Sequence, residues 1–289
     1  MVAQAVTEAA IDIGTNSTRL LVVEGESEMR ETVVTGLGRG IAHSSRISSR
    51  AISETIAVLE RFRQTMDRAG VGSWRAVATS ATRDAANRDD FLVAAAAALR
   101  GPVDVISGRE EAALSYRGAT AGMVEVGGVV VIDIGGGSTE VISAEGALSV
   151  DVGSVRLTDL CLPSRPASRE ALDDGFSYTR RVLSPVPRLG SRGIGVAGTW
   201  TSIGGLEAGD AADVHGLTLD RATVDRWVVT LGGLTVEETR RLGGLDPDRA
   251  PVILAGAVVA AAVMDHLGLG SVVVSERDLL DGVVATLQD

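Results

Sequence analysis

Short apolar runs alternate with turns of small residues along the chain, and one such unit occurs twice. Ala10, Ile11, Asp12 and Ile13 form an apolar run that carries an acid near its end. Gly14, Thr15, Asn16 and Ser17 follow as small turn residues, and Arg19 to Val23 reads as a return strand. Run, turn and run predict a β-hairpin. Residues 31–35 read as a third strand and 37–40 as a glycine-rich loop. Ile52, Ile56, Leu59, Phe62 and Met66 recur at helical spacing and predict a helix over 49–69, closed by Gly70. A strand over 76–78 runs into residues 79–83. A helix over 89–99, a strand over 103–106 and a helix to about 121 complete the first half. Strands and helices that alternate after an antiparallel opening predict an α/β fold.

The second half repeats the opening. IDIGTNSTRL at 11–20 returns as IDIGGGSTEV at 132–141, roughly 120 residues later, a period too long for a solenoid. It predicts two related domains, 1–122 and 123–289. Three strands are expected over 128–153, with helices at 155–162 and 168–183. A strand at 194–197 is expected to end in Gly198, Thr199, Trp200 and Thr201. Helices at 220–231, 235–242 and 248–267, a strand at 272–274 and a helix at 279–287 follow. The apolar run 252–264 is too short to span a bilayer and reads as a buried helix.

The repeated turns have a chemistry of their own. Glycine lets backbone N–H groups approach an anion with no Cβ in the way, hydroxyls add donors, and a strand-end Asp can hold a divalent cation. Gly14, Thr15, Asn16 and Ser17 with Asp12, and Gly135, Gly136, Gly137 and Ser138 with Asp133, are therefore two candidate phosphate cradles.

Composition removes several alternatives. All 27 basic residues are Arg, which excludes a Walker A lysine, a protein-kinase strand lysine and a lysine Schiff base. The net charge of −11 and the lack of a basic stripe argue against nucleic-acid binding. Aromatic residues are only 3% of a chain that is 45% hydrophobic, so the core must be aliphatic. Cys161 stands alone, and His43, His215 and His266 are scattered, which leaves no disulfide and no multi-cysteine zinc site. The opening MVAQAVTEAA has no basic region or apolar stretch of a signal peptide, and a cytoplasmic protein away from membranes is expected.

The segments AIDIGTNSTRLLV, VATSATRDA, ISGREEA, VVVIDIGGGSTEV, GSVRLTD, GVAGTWTSI and VSERDLLDG, in this order, resemble the exopolyphosphatase and guanosine pentaphosphate phosphohydrolase family in its short two-domain form. The resemblance implies two ribonuclease-H-like domains of the actin-like ATPase class around a cleft. It also implies Mg²⁺-dependent hydrolysis of a terminal phosphoanhydride, in polyphosphate or guanosine pentaphosphate, and a homodimer. By motif, Glu111 matches the catalytic carboxylate, and Asp133 and Glu140 the acids around metal and water. Asp12, Asn16, Ser17 and Arg19 match the first phosphate hairpin, and Gly135 to Ser138 the second. Arg83 matches an arginine at the cleft mouth, and Gly198 and Thr199 a later glycine loop. Two segments depart from the family pattern. Residues 162–166 read LPSRP where His-Asp-Pro-Pro is usual, and 248–251 read DRAP where Gly-Arg-Ala-Asp is common. A kinase on the same fold, which would need an acceptor-facing base, and a non-catalytic polyphosphate or alarmone sensor are the other readings compatible with the hairpins.

Overall fold

A computed structural model describes residues 6–188, 191–210 and 213–288. Half of the N-terminal segment read for a signal peptide, residues 1–5, lies outside the described residues, as does residue 289. The strands are β1 (Glu8–Ile13), β2 (Ser17–Glu24), β3 (Ser27–Val34), β4 (Ser73–Ala78), β5 (Asp104–Val105), β6 (Val129–Ile134), β7 (Thr139–Ser143), β8 (Gly146–Val150), β9 (Arg192–Val196), β10 (Thr218–Asp220) and β11 (Ser271–Val274). In the first half the helices are α1 (Ile41–Ser44), α2 (Ser49–Arg68), α3 (Ser80–Asp84), α4 (Arg88–Leu99) and α5 (Gly108–Ala119). The remainder are α6 (Ser154–Cys161), α7 (Arg169–Leu183), α8 (Ala197–Ala208), α9 (Arg221–Gly233), α10 (Val236–Thr239), α11 (Ile253–Leu267) and α12 (Leu279–Ala285).

The repeat in the sequence is a repeat in topology. The first sheet has the order β3-β2-β1-β4-β5. Its first three strands are antiparallel, and β4 and β5 run parallel to β1. The second sheet repeats this as β8-β7-β6-β9-β11 and adds β10 antiparallel at the edge. This is the expected ribonuclease-H-like architecture of the actin-like ATPase fold, present twice. β1 and β6 are the central strands and are buried along their whole length, which is why both read as continuous apolar runs.

Helices cover the sheets as their apolar faces require. α2 is capped by Ser48, which accepts the Ala51 N–H at 3.2 Å, and it packs Leu59, Phe62 and Met66 on the first sheet. α11 is apolar all round and lies buried at the centre of the second half, as its sequence suggests. Among the described residues no helix is long and apolar enough to cross a membrane.

Some elements differ from the sequence expectations. Residues 80–83, for which the sequence predicts no element, form most of α3, with Thr79 at its N-cap position. β9 ends at Val196, and Ala197, with φ 67°, turns the chain into α8, so Gly198 and Thr199 lie in a helical first turn. Glycines at 198, 204 and 205 weaken the local helix signal, whereas burial of Trp200 fixes the helix from outside. The expected helix over 248–267 is broken at Pro251: a 3₁₀ turn (Pro247–Arg249) precedes α11. The helix over 235–242 shortens to α10, and β10 has no counterpart among the expected strands.

The last helix crosses back. A division at 122/123 assigns α12 to the second half, yet Leu279, Leu280, Val283 and Val284 pack with Ala10, Leu21 and Val77 of the first sheet. α12 and α5 meet closely through glycines. A Cβ on Gly118 would lie 1.9 Å from the Asp278 carbonyl oxygen, and one on Gly282 would lie 2.0 Å from that of Leu114.

Candidate active site

Both hairpin turns close with the same hydrogen bond. The Gly14 N–H donates to Ser17 O at 3.0 Å, and the Gly135 N–H donates to Ser138 O at 3.1 Å. The strand registers also agree, with Asp12 opposite Arg19 and Asp133 opposite Glu140. The turns face each other closely: a Cβ on Gly136 would sit 2.9 Å from the Thr15 Cβ, and one on Gly137 would sit 2.4 Å from the Ser80 hydroxyl. Glycine is required there because the two halves touch at these turns.

One cleft gathers most of the expected residues. Asp12, Gly14, Thr15, Asn16, Ser17 and Arg19 line it from the first sheet, and Asp133, Gly135, Gly136 and Ser138 from the second. Glu111 enters from α5, and Gly198 and Thr199 from α8. Three expected residues lie outside the lining. Gly137 packs against Thr15 and Ser80 of the first half, Arg83 faces a neighbouring groove, and Glu140 is fully buried.

α5 positions two of the polar groups. Its cap Ser107 accepts the Glu110 N–H at 3.2 Å, so the helix begins just before Glu111. Ser115 lies four residues further on the same face, and its hydroxyl donates to Asp133 Oδ2 at 2.7 Å. Glu111 Oε2 accepts Arg83 Nη1 at 2.6 Å, and the same nitrogen donates to Ile106 O at 3.0 Å. Arg83 thus holds Glu111 in this state. Burial pushes the Glu111 carboxyl up to about 7, against the opposing pull of Arg83. Burial likewise raises Asp133 to about 6, with the Ser115 hydrogen bond working the other way.

The remaining acids stand close behind. Burial raises the Asp12 carboxyl, which Arg19 lowers in part. Glu140 accepts the Ser149 hydroxyl at 2.6 Å, its other oxygen is buried without a partner, and burial followed by the charges of Glu111 and Asp133 drives it well above the ordinary range. Arg19 donates to Asp12 at 2.7 and 2.9 Å and also pairs with Asp278, the N-cap of α12.

Two contributors lie outside the repeated hairpins. Arg249 lines the cleft with no ion pair among the described residues, and Gly198 makes room for it: a Cβ there would fall 1.7 Å from Arg249 Nη1. Asp278 secures Arg19. Arg249 stood in view as part of a departing string, but its guanidinium is placed by the turn before α11, which spacing alone does not give. The pairing of Asp278 with Arg19 depends on the chain's crossing back through α12.

The donor set suits Mg²⁺. Asp12 Oδ1 is buried without a partner, Asp133 is nearby on the matching strand, and burial raises both carboxyls. No group of three or more acid, His or Cys ligands forms a cage among the described residues. An ion that keeps waters and takes one or two carboxylates plus substrate phosphate oxygens needs none.

Known proteins are similar to this chain along its length. Exopolyphosphatase 2 of Mycobacterium tuberculosis is 36% identical over 96% of this chain and 98% of its own. A crystal structure of an exopolyphosphatase-like protein superposes with a TM-score of 0.92 at 30% identity, covering 98% of each chain. The Aquifex aeolicus member of the Ppx/GppA family gives a TM-score of 0.79 at 29% identity, again over 98% of each. The sequence pattern of the Ppx/GppA phosphatase family matches residues 28–289, and with these likenesses it follows that the chain belongs to that family of phosphatases.

Proposed function

We propose that the chain is an exopolyphosphatase-type phosphoanhydride hydrolase that removes the terminal phosphate of inorganic polyphosphate. The observation that best supports this is the convergence on one cleft of two glycine-rich turns, a buried carboxylate at Glu111 and the Arg249 guanidinium, which has no ion pair among the described residues. Cleaving a phosphoanhydride requires placement and charge stabilisation more than covalent help. In this reading the turn N–H groups and the hydroxyls of Thr15, Ser17, Ser138 and Thr199 surround the terminal phosphates. Arg249 gives a forked donor to their oxygens.

Glu111 orients a water and takes its proton as the water oxygen bonds to the terminal phosphorus. The bond from that phosphorus to the bridging oxygen breaks, and the shortened chain leaves with the electron pair. Held by Asp12 and Asp133, Mg²⁺ would supply positive charge to the phosphoryl oxygens. Glu140, buried behind Asp133, acts from the second layer. Binding moves Arg83 from Glu111 toward the incoming phosphates. The halves around the two sheets act as domains divided near residue 122, with α12 as the strap that returns to the first, and the protein works in the cytoplasm on soluble phosphate chains.

The test is orthophosphate release in Mg²⁺ from polyphosphate and, separately, from guanosine pentaphosphate. A higher kcat/KM for polyphosphate is expected. A higher value for the nucleotide would reassign the substrate, and ADP formation dependent on an acceptor would replace hydrolysis with kinase chemistry.

A further inference from the structure

Each glycine-rich turn has its own support. α6 starts beneath the second turn: the Ser154 N–H donates to Gly135 O at 2.9 Å, and those of Val155 and Arg156 donate to Gly136 O at 2.8 and 3.0 Å. The segment 36–40 serves the first turn in the same way. Its Gly36 N–H donates to Asn16 O and its Gly38 N–H to Thr15 O, both at 2.8 Å. The two turns belong to different halves, so something must fix one support against the other.

Two side chains of α6 make that connection. Arg156 Nε donates to Gly137 O at 2.7 Å, and Arg156 Nη2 pairs with Asp84 at the end of α3. α3 begins at Ser80, against which Gly137 packs, and it carries Arg83, the partner of Glu111. A planar guanidinium suits this bridge, because its fork meets two acceptors at a fixed spacing where an ammonium offers a single point of charge. One turn further along α6, Asp159 Oδ2 accepts the Gly40 N–H at 2.8 Å, and the Asp159 carbonyl oxygen lies 3.0 Å from His43 Nε2. Ser154 lines the cleft, but Arg156, Asp159 and Asp84 do not, so any effect they have on the reaction passes through the turns.

We propose that Arg156 is a positioning residue for the hydrolysis. By bridging Gly137 O and Asp84 it fixes the second turn against α3, and with Asp159 it makes α6 the spacer that sets the separation of the two turns. That separation matters because misplacing reacting groups by about 1 Å can cost roughly 100-fold in rate. In one respect this rests on the hydrolase reading, that the turns grip the substrate's phosphates.

A double-mutant cycle on Arg156→Ala and Asp84→Ala tests it, with kcat/KM for tripolyphosphate and the melting temperature as readouts. Each single variant is expected to lose roughly 10- to 100-fold in kcat/KM. The double variant should lose no more than Arg156→Ala alone, because both changes break one bridge. Asp84 is exposed and exposed pairs add little to stability, so the melting temperature of Asp84→Ala should barely move. Should the alanine at 156 not fold, Arg156→Lys keeps the stem and the charge but not the fork, and it takes the same place in the cycle. Parent-like kcat/KM in Asp84→Ala, or losses that multiply in the double variant, would overturn the bridge. Lack of phosphate release by the parent chain would count against the hydrolase reading, and the same cycle in tripolyphosphate affinity, measured by calorimetry, would still decide the role of Arg156.

Discussion

Glu111 and Arg83 carry opposite instructions for one proton. Burial raises the carboxyl to about 7, and the guanidinium 2.6 Å away opposes that rise. A general base must be ionised, so kcat/KM should climb as pH rises through about 7, the region of the Glu111 transition. Replacing Arg83 by Gln removes the opposing charge, so the acid limb should move to higher pH. A pH profile of kcat/KM checks this, since a purely structural role for Arg83 would lower the plateau without moving the limb. The motif around Glu111 points to the acid, but it does not reveal the partner: Arg83 enters from α3, and only the packed structure brings the two together.

Among elements, the hairpins were the most legible, because a duplicated run, turn and run leaves the same pattern twice in the sequence. α8 was hidden by its glycines, which satisfy tertiary needs: Gly205 passes 2.1 Å, measured from its would-be Cβ, from Gly244 O, and Gly198 admits Arg249. The contact between α5 and α12 is of the same kind and makes a prediction. Gly118→Ala should gain about 1 kcal/mol of helix propensity, but its methyl would fall 1.9 Å from the Asp278 backbone. Overpacking of that kind costs about 1–3 kcal/mol or more, so net destabilisation is expected in denaturant unfolding. Activity should fall beyond the loss of fold, because Asp278 caps α12 and anchors Arg19. A variant as stable and active as the parent would show that the helices can part at no cost.

Across the whole molecule, the cleft exists because a duplicated unit faces itself. Asp12 with Arg19 on one side and Asp133 with Glu140 on the other occupy the same register, but the second copy exchanges the arginine for an acid. The site is consequently rich in buried carboxyls on one side, with a guanidinium supplied from a third place, Arg249. The symmetry was readable from the two IDIG strings. The asymmetry that makes a reaction centre depends on α5, α8, α12 and the turn before α11, whose approach is set by packing. The most direct test of the account is orthophosphate release from polyphosphate in Mg²⁺ by the parent chain and by Glu111→Gln, with tripolyphosphate binding measured on both. The account predicts release by the parent, a loss of roughly 10²–10⁴-fold in kcat in the variant, and tripolyphosphate binding largely kept. Parent-like turnover in Glu111→Gln would contradict it.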